Sequence, residues 1–212
     1  ENLCWLKRDE ANHFNSANLY GNSISKAKTV GGVELIIMHQ GETDATNSVS
    51  TEQYIADLKS LVANYRENLY SSIPLFYCQL ARSFTPADGE KKRTDTTMQA
   101  IRAAQLYSDD PNNSIYLAAS CIDVSVRPND DHYFQDAYDT IGLRIGNAIA
   151  YYSGKSNYYR GPYITSAALS QDRTSIDVSI SHRGGNDLTP ETGITGFDVL
   201  TSTGAVLNLT SV

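Results

Sequence analysis

Two short apolar runs, LFYCQLA at 75–81 and IYLAASCIDV at 115–124, constrain the fold more than any other feature. Each has the length of a strand and little apolar/polar alternation, the pattern of a strand buried on both faces. A third run, containing Val33, Leu35, Ile36, Ile37 and Met38, reads the same way. Segments of helical spacing lie between them. After Ser50, TEQYIADLKSLVANYRENL sets Tyr54, Leu58, Leu61, Val62, Tyr65 and Leu69 on one face, and Ser50 with Gln53 has capping-box form. TMQAIRAAQLY predicts a shorter helix, and Tyr133 to Tyr152 places Phe134, Tyr138, Ile141, Ile145, Ala148 and Tyr152 at intervals of three and four. Ala11 to Lys28 is moderately helical through Phe14, Ala17, Leu19 and Tyr20, and Gly31-Gly32 ends it. Alternating helices and continuously apolar strands predict an α/β fold with a parallel sheet covered on both faces.

The texture changes after Tyr152. SGKSNYYRGP at 153–162 reads as a linker, and ITSAALS, SIDVSIS and GFDVLTS then alternate apolar and polar residues, with turns at Gln171-Asp172 and Gly184-Gly185. Residues 163–212 therefore read as a small antiparallel segment, whose edge strands leave pairing with another chain open. The opening ENLCWLKRDE carries no initiator Met and VLNLTSV stops inside an alternating run, which together predict a piece of something larger. On this reading residues 1–152 are the later part of an α/β domain.

A formal charge of -7 argues against a protein that binds nucleic acid phosphates. The densest basic run, Lys91, Lys92 and Arg93, reads as a solvated loop. No apolar run approaches the roughly 20 residues that span a bilayer, so membrane insertion is not expected. Cys4, Cys78 and Cys121 form no metal-type pair, and the last two sit in apolar runs where cysteine acts as a small hydrophobe. Compartment is left open; outside the cell, the periplasm and a virion all suit the reading.

Ligands of open parallel sheets bind at the carboxyl ends of strands, where loops converge and helix N-termini point. HQGETDA at 39–45 is one such strand end, and RPNDDHY at 127–133 follows another. His132, with Asp130 and Asp131 before it, has the form of a general base oriented by a carboxylate; the competing reading is a capped helix start with a surface histidine. A metal site from His39, Glu42, Asp44 and His132 is chemically sensible, but the spacing matches no standard motif.

HQGETDA after an apolar strand, LYSSIPLFYCQLA, IRAAQ and DDHYFQDAYDTIGLRIGNAIA follow one another over residues 30–150 in an order that resembles the SGNH (GDSL-like) hydrolases. The resemblance is to their carbohydrate-esterase branch, the sialate O-acetylesterase-like group. It implies a flavodoxin-like αβα sandwich and metal-free, cofactor-free hydrolysis of acetyl esters on a carbohydrate by a serine nucleophile. His132 would then be the general base, Gln40 a donor to the oxyanion, Asp130 the carboxylate orienting the histidine, and Glu42 a second carboxylate near the site.

The chain departs from the family's pattern in two places. The wider superfamily sets its acid three residues before the histidine, and Asn129 stands there, so Asp130 takes the role by the two-residue spacing of some branches. The Gly-x-Ser block that carries the nucleophile is not found ahead of HQGETDA. Gly21-Asn22-Ser23 lies in a helical stretch, whereas a nucleophile needs a strand-to-helix turn, so the serine is expected in a missing N-terminal portion of the same domain. The alternative is a non-catalytic carbohydrate-binding or adhesive module whose Tyr151, Tyr152, Tyr158, Tyr159 and Tyr163 stack on sugars; these tyrosines equally suit packing of the linker.

Overall fold

The computed structural model describes residues 6–82, 95–127, 132–157 and 161–182, together with 199–201, 203 and 205–207. Asn129, Asp130, Asp131, the Lys91–Arg93 run, Tyr158, Tyr159 and the turn expected at Gly184-Gly185 lie outside the described residues.

The first helix is shorter than its sequence predicts. α1 spans Leu19–Thr29, because asparagine side chains compete for the backbone upstream of it. Asn12 Oδ1 accepts from the Phe14 N–H at 3.1 Å and Asn15 Oδ1 from the Ala17 N–H at 3.0 Å, both in turns, while Asn18 caps the helix by accepting from the Gly21 N–H at 2.6 Å. Its inward face is Tyr20, Gly21, Ile24 and Ala27; Phe14 and Leu19, expected to be apolar contacts, are exposed.

Strand β1 covers only Ile36–Met38, and a five-residue helix α2 (Glu42–Thr46) follows it directly. α3 spans Thr51–Asn68, with Ser50 Oγ accepting from the Gln53 N–H at 3.2 Å, and it buries Tyr54, Leu58, Leu61, Val62 and Tyr65. Gln53 does not complete a capping box: its amide bonds Asp57 instead. β2 is Leu75–Gln79, α4 is Asp95–Tyr107, β3 is Ile115–Ser120 and α5 is Gln135–Tyr152.

The three strands form one parallel sheet in the order β1-β2-β3, pairing Ile37 with Phe76 and Phe76 with Tyr116. Alternate residues of β2 enter different cores, which explains why its run is continuously apolar. Leu75 and Tyr77 join Tyr20, Ile24, Leu58, Ile101 and others beneath α1, α3 and α4. Phe76 and Cys78 join two smaller clusters with Ala137, Ile141 and Ala148 of α5. Burying a leucine as completely as Leu58 contributes about 1.5–3 kcal/mol.

Two expectations shift by one residue or one face. Ile37 is 53% exposed, its side chain left uncovered among the described residues. α5 turns Ala137, Ile141 and Ala148 inward with Ile145 partly buried, while Phe134 and Tyr138 lie outward; Tyr133, just before the helix, takes the buried place instead.

The chain divides into two compact units, residues 1–160 and 161–212. In the second, β4 (Tyr163–Leu169) and β5 (Ile176–Ser181) form an antiparallel hairpin, and β6 (Val199–Leu200) pairs with β7 (Val206–Leu207). No helix among the described residues is long and apolar enough to cross a membrane.

Replacing Ser50 by Ala removes the α3 cap and is expected to lower stability by about 1 kcal/mol. Thermal unfolding of Ser50→Ala checks this; an unchanged midpoint would mean the cap bond contributes nothing.

Candidate active site

Parallel strands release their last backbone groups at one edge of the sheet, and here that edge is where the polar segments gather. β1 runs out at His39, β2 at Leu80-Ala81 and β3 at Cys121. Each end is met by a side chain from a following helix or loop.

Tyr133 is one of these. It is 3% exposed, and its hydroxyl lies 3.1 Å from His39 Nε2 with the two rings 5.2 Å apart. It also interacts with the backbone at Ala81. Burial pushes the phenol pKa strongly up, as do the potential charges of Cys121 and Glu42, while the Ala81 backbone acts in the other direction. Tyr133 therefore stays a neutral hydroxyl that links the ends of β1 and β2.

Backbone pairing joins Val126 and Arg127 to His132 and Tyr133. Val126 and Tyr133 form an isolated antiparallel bridge, and the Arg127 N–H donates to the His132 carbonyl at 2.9 Å. His132 is exposed. The contact between His39 and Tyr133, 94 positions apart in the chain, joins the immediate neighbours of Gln40 and His132. Of the remaining candidates, Glu42 is the first residue of α2 and is partly buried, close enough for its carboxylate to act on His39, Tyr54 and Tyr133; Asp130 lies outside the described residues.

His39 is drawn in two directions. Burial disfavours its imidazolium, but hydrogen bonding to Cys121 and the negative charge of Glu42 favour it, and the net shift is upward. Cys121 is itself kept protonated, since its hydrogen bond with Cys78 and its burial push the thiol well above its usual range. Cys78 and Cys121 are both free and buried.

The second tie is Gln105 of α4, a fully buried amide. Its Oε1 accepts from the Leu80 N–H at 2.9 Å, and its Nε2 donates to the Gln40 carbonyl at 3.0 Å and to the Tyr54 hydroxyl at 3.2 Å. Tyr54 in turn donates to the same Gln40 carbonyl at 3.2 Å. Gly41 then turns with φ +145°, and a Cβ there would stand 3.0 Å from Ile101 and 3.1 Å from both Gln105 and Leu80. Gln40 Oε1 is buried without a hydrogen-bond partner among the described residues.

Ser23 takes no part in this edge. Its hydroxyl bonds the Tyr20 carbonyl at 2.7 Å and lies 2.9 Å from the Tyr65 hydroxyl, pinning α1 to α3. Gly21 in the same triplet is required by packing, because a Cβ would fall 2.2 Å from the Asn15 carbonyl oxygen. The Gly-x-Ser spacing thus has a structural origin. Tyr152 likewise stacks on Tyr116 with ring centroids 3.7 Å apart and touches Phe76, so it packs the fold. No group of three or more His, Cys, Asp or Glu side chains among the described residues is arranged to hold a metal ion.

A family model described as carbohydrate esterase, sialic acid-specific acetylesterase, matches residues 4–151, which contain every element from α1 to the last turn of α5. The chain belongs to this family. Among solved structures it is similar to a carbohydrate acetylesterase from Xanthomonas citri, with 20% identity and a TM-score of 0.70, covering 96% of this chain and 46% of that one. It is also similar to an Arabidopsis thaliana protein, with 20% identity and a TM-score of 0.49 over 65% of this chain and 53% of that one. The chain thus spans about half the length of each of these two structures. A search of curated proteins finds no match. The family and the fold agree with the α/β carbohydrate-esterase architecture anticipated from the sequence.

Sequence reasoning missed Tyr133 and Gln105 as site-building residues. Gln105 had one legible signal: it is a polar side chain at helical spacing from Met98 and Ile101, on the face of α4 that must be buried. The sequence places Tyr133 at the end of RPNDDHY and at the start of a helix, with no partner legible for its hydroxyl.

Gly41→Ala should lower stability by about 1–3 kcal/mol, since it combines a backbone conformation rare for L-residues with three tight contacts. Denaturant unfolding measures it; a midpoint equal to that of the parent protein would refute the close approach.

Proposed function

We propose that this chain carries the histidine and oxyanion donor of a serine esterase that removes O-acetyl groups from a carbohydrate, such as sialic acid or an acetylated polysaccharide or glycan. One observation carries the reading: the 3.1 Å contact of His39 with Tyr133, which joins the segments bearing Gln40 and His132 at the carboxyl edge of a parallel sheet. Family membership over residues 4–151 supports the chemistry.

In this reading His132 takes the proton of a serine hydroxyl as the serine oxygen attacks the acetyl carbonyl. Negative charge develops on the carbonyl oxygen, and the Gln40 side-chain amide donates to it from its Nε2 end, the Oε1 end being turned into the protein. The tetrahedral intermediate then collapses. The bond to the sugar oxygen breaks, His132 returns the proton to that oxygen, and the deacetylated sugar leaves. Water, deprotonated by His132, attacks the acetyl-serine, and acetate departs as the serine regains its proton. Asp130 orients the imidazole and stabilises its charged form, and Glu42 adds a second negative group beside the site.

The serine itself is assigned to sequence outside these 212 residues, because Ser23, the candidate in this chain, is committed to Tyr20 and Tyr65. The partners of the chain are therefore an acetylated carbohydrate and the nucleophile-bearing portion of the same domain.

The reading is tested by hydrolysis of an acetyl ester by the intact protein. His132→Ala should reduce kcat by at least about 10³-fold and Gln40→Ala by about 10²–10³-fold, each with its fold retained. Hydrolysis that continues at the parent rate in His132→Ala would rule the assignment out.

A further inference from the structure

We infer that Gln105 is a positioning residue for ester hydrolysis: its buried amide fixes the Gln40-Gly41 turn on which the oxyanion donor sits. The inference rests on the esterase reading above and adds to it a residue that touches no substrate.

The hydrogen-bonding capacity of this amide is directed at two strand ends and at the tyrosine of α3 beside them. Oε1 faces a backbone donor, the Leu80 N–H after β2, and this contact determines which end of the amide is oxygen. Both Nε2 hydrogens then point at acceptors, the Gln40 carbonyl after β1 and the Tyr54 hydroxyl of α3. The Gln40 carbonyl receives a second bond from Tyr54. The backbone of Gln40 is thus clamped between α3 and α4 at the point where its side chain leaves for the candidate site.

The helix is anchored as well as the turn. Tyr77 of β2 donates to the Gln105 carbonyl at 2.5 Å, so α4 cannot slide along the sheet without breaking a buried bond. Gly41 lies against the Gln105 amide so closely that a methyl group would displace it. A donor to an oxyanion acts only within a few tenths of an ångström of the right place, so a clamp on its backbone acts on rate rather than on substrate affinity.

The decisive variant is Gln105→Glu, which keeps size and shape and keeps an acceptor for Leu80. As a carboxylate it would face the Gln40 carbonyl with no donor; when protonated it can donate one hydrogen bond there. Burial raises the pKa of a carboxyl group, so the protonated form is recovered as pH falls. The intact protein is assayed on an acetyl ester between about pH 9 and pH 5.5, with the ratio of variant to parent kcat read at each pH.

The expected result is a kcat lower by about 10- to 100-fold at the alkaline end with KM little changed, and a ratio that climbs toward one at the acid end. A ratio near one throughout, or a loss that does not change with pH, would overturn the inference. Should Gln105→Glu fail to fold by thermal melting, Tyr54→Phe replaces it. That variant removes the second donor to Gln40 while keeping the ring, and is expected to lower kcat several-fold with KM unchanged; parent-like kcat there overturns the inference equally. His132→Ala in the same assay separates the two failures. No His132-dependent hydrolysis sinks the esterase reading and this inference with it, whereas His132-dependent hydrolysis with an indifferent Gln105 sinks the inference alone.

Discussion

Three parallel strands end in one small patch, and the backbone groups released there cannot be left unpaired in a buried place. Sheet pairing still serves the Cys121 N–H, which donates to the Gln79 carbonyl at 3.0 Å, but Gln40 and Leu80 lie past the last paired residues. Gln105 meets the ends of β1 and β2 with one amide, and Tyr133 reaches His39 and the backbone at Ala81 with one hydroxyl. The arrangement of the candidate site follows from this requirement. The side chains that satisfy the strand ends also determine where Gln40 and the loop carrying His132 can lie.

This division of labour separates chemistry from support. On the proposed esterase reading Gln40, Glu42 and His132 would meet the substrate, and they are partly buried or exposed, whereas Gln105, Tyr54 and Tyr133 are buried. Their polar atoms are turned toward backbone, toward one another and, for Tyr133, toward His39. A neutral phenol and a neutral amide suit this place, because neither carries a charge that the low-dielectric interior would penalise. The elevated pKa values of Tyr54 and Tyr133, caused first by burial, keep both hydroxyls protonated and able to donate.

The same physical logic explains a misleading motif. Gly21-Asn22-Ser23 has the spacing of a nucleophile block, yet each outer residue answers to packing: Gly21 to the carbonyl of Asn15, and Ser23 to Tyr20 and Tyr65. Short motifs acquire meaning from the element that bears them, and this one lies on a helix. Exposure of Ile37 on β1 is the complementary case, where an apolar residue in a strand has no covering layer among the described residues.

What the amino-acid order determined alone is the kind of each element and the layered α/β plan, because helical period, continuous apolar strands and the Ser50 cap act over a few neighbouring residues. The blocks HQGETDA and DDHYFQDAYDTIGLRIGNAIA likewise pointed to the family without coordinates. Helix starts were less legible: Asn12, Asn15 and Asn18 compete for backbone N–H groups, and only their geometry says which one wins. Tertiary structure alone decided that Tyr133 rather than Phe134 turns inward, and that Gln105 answers Gln40 across 65 residues of sequence. Such pairings are made by strand ends brought together through the parallel crossovers, and no local pattern encodes a partner that distant.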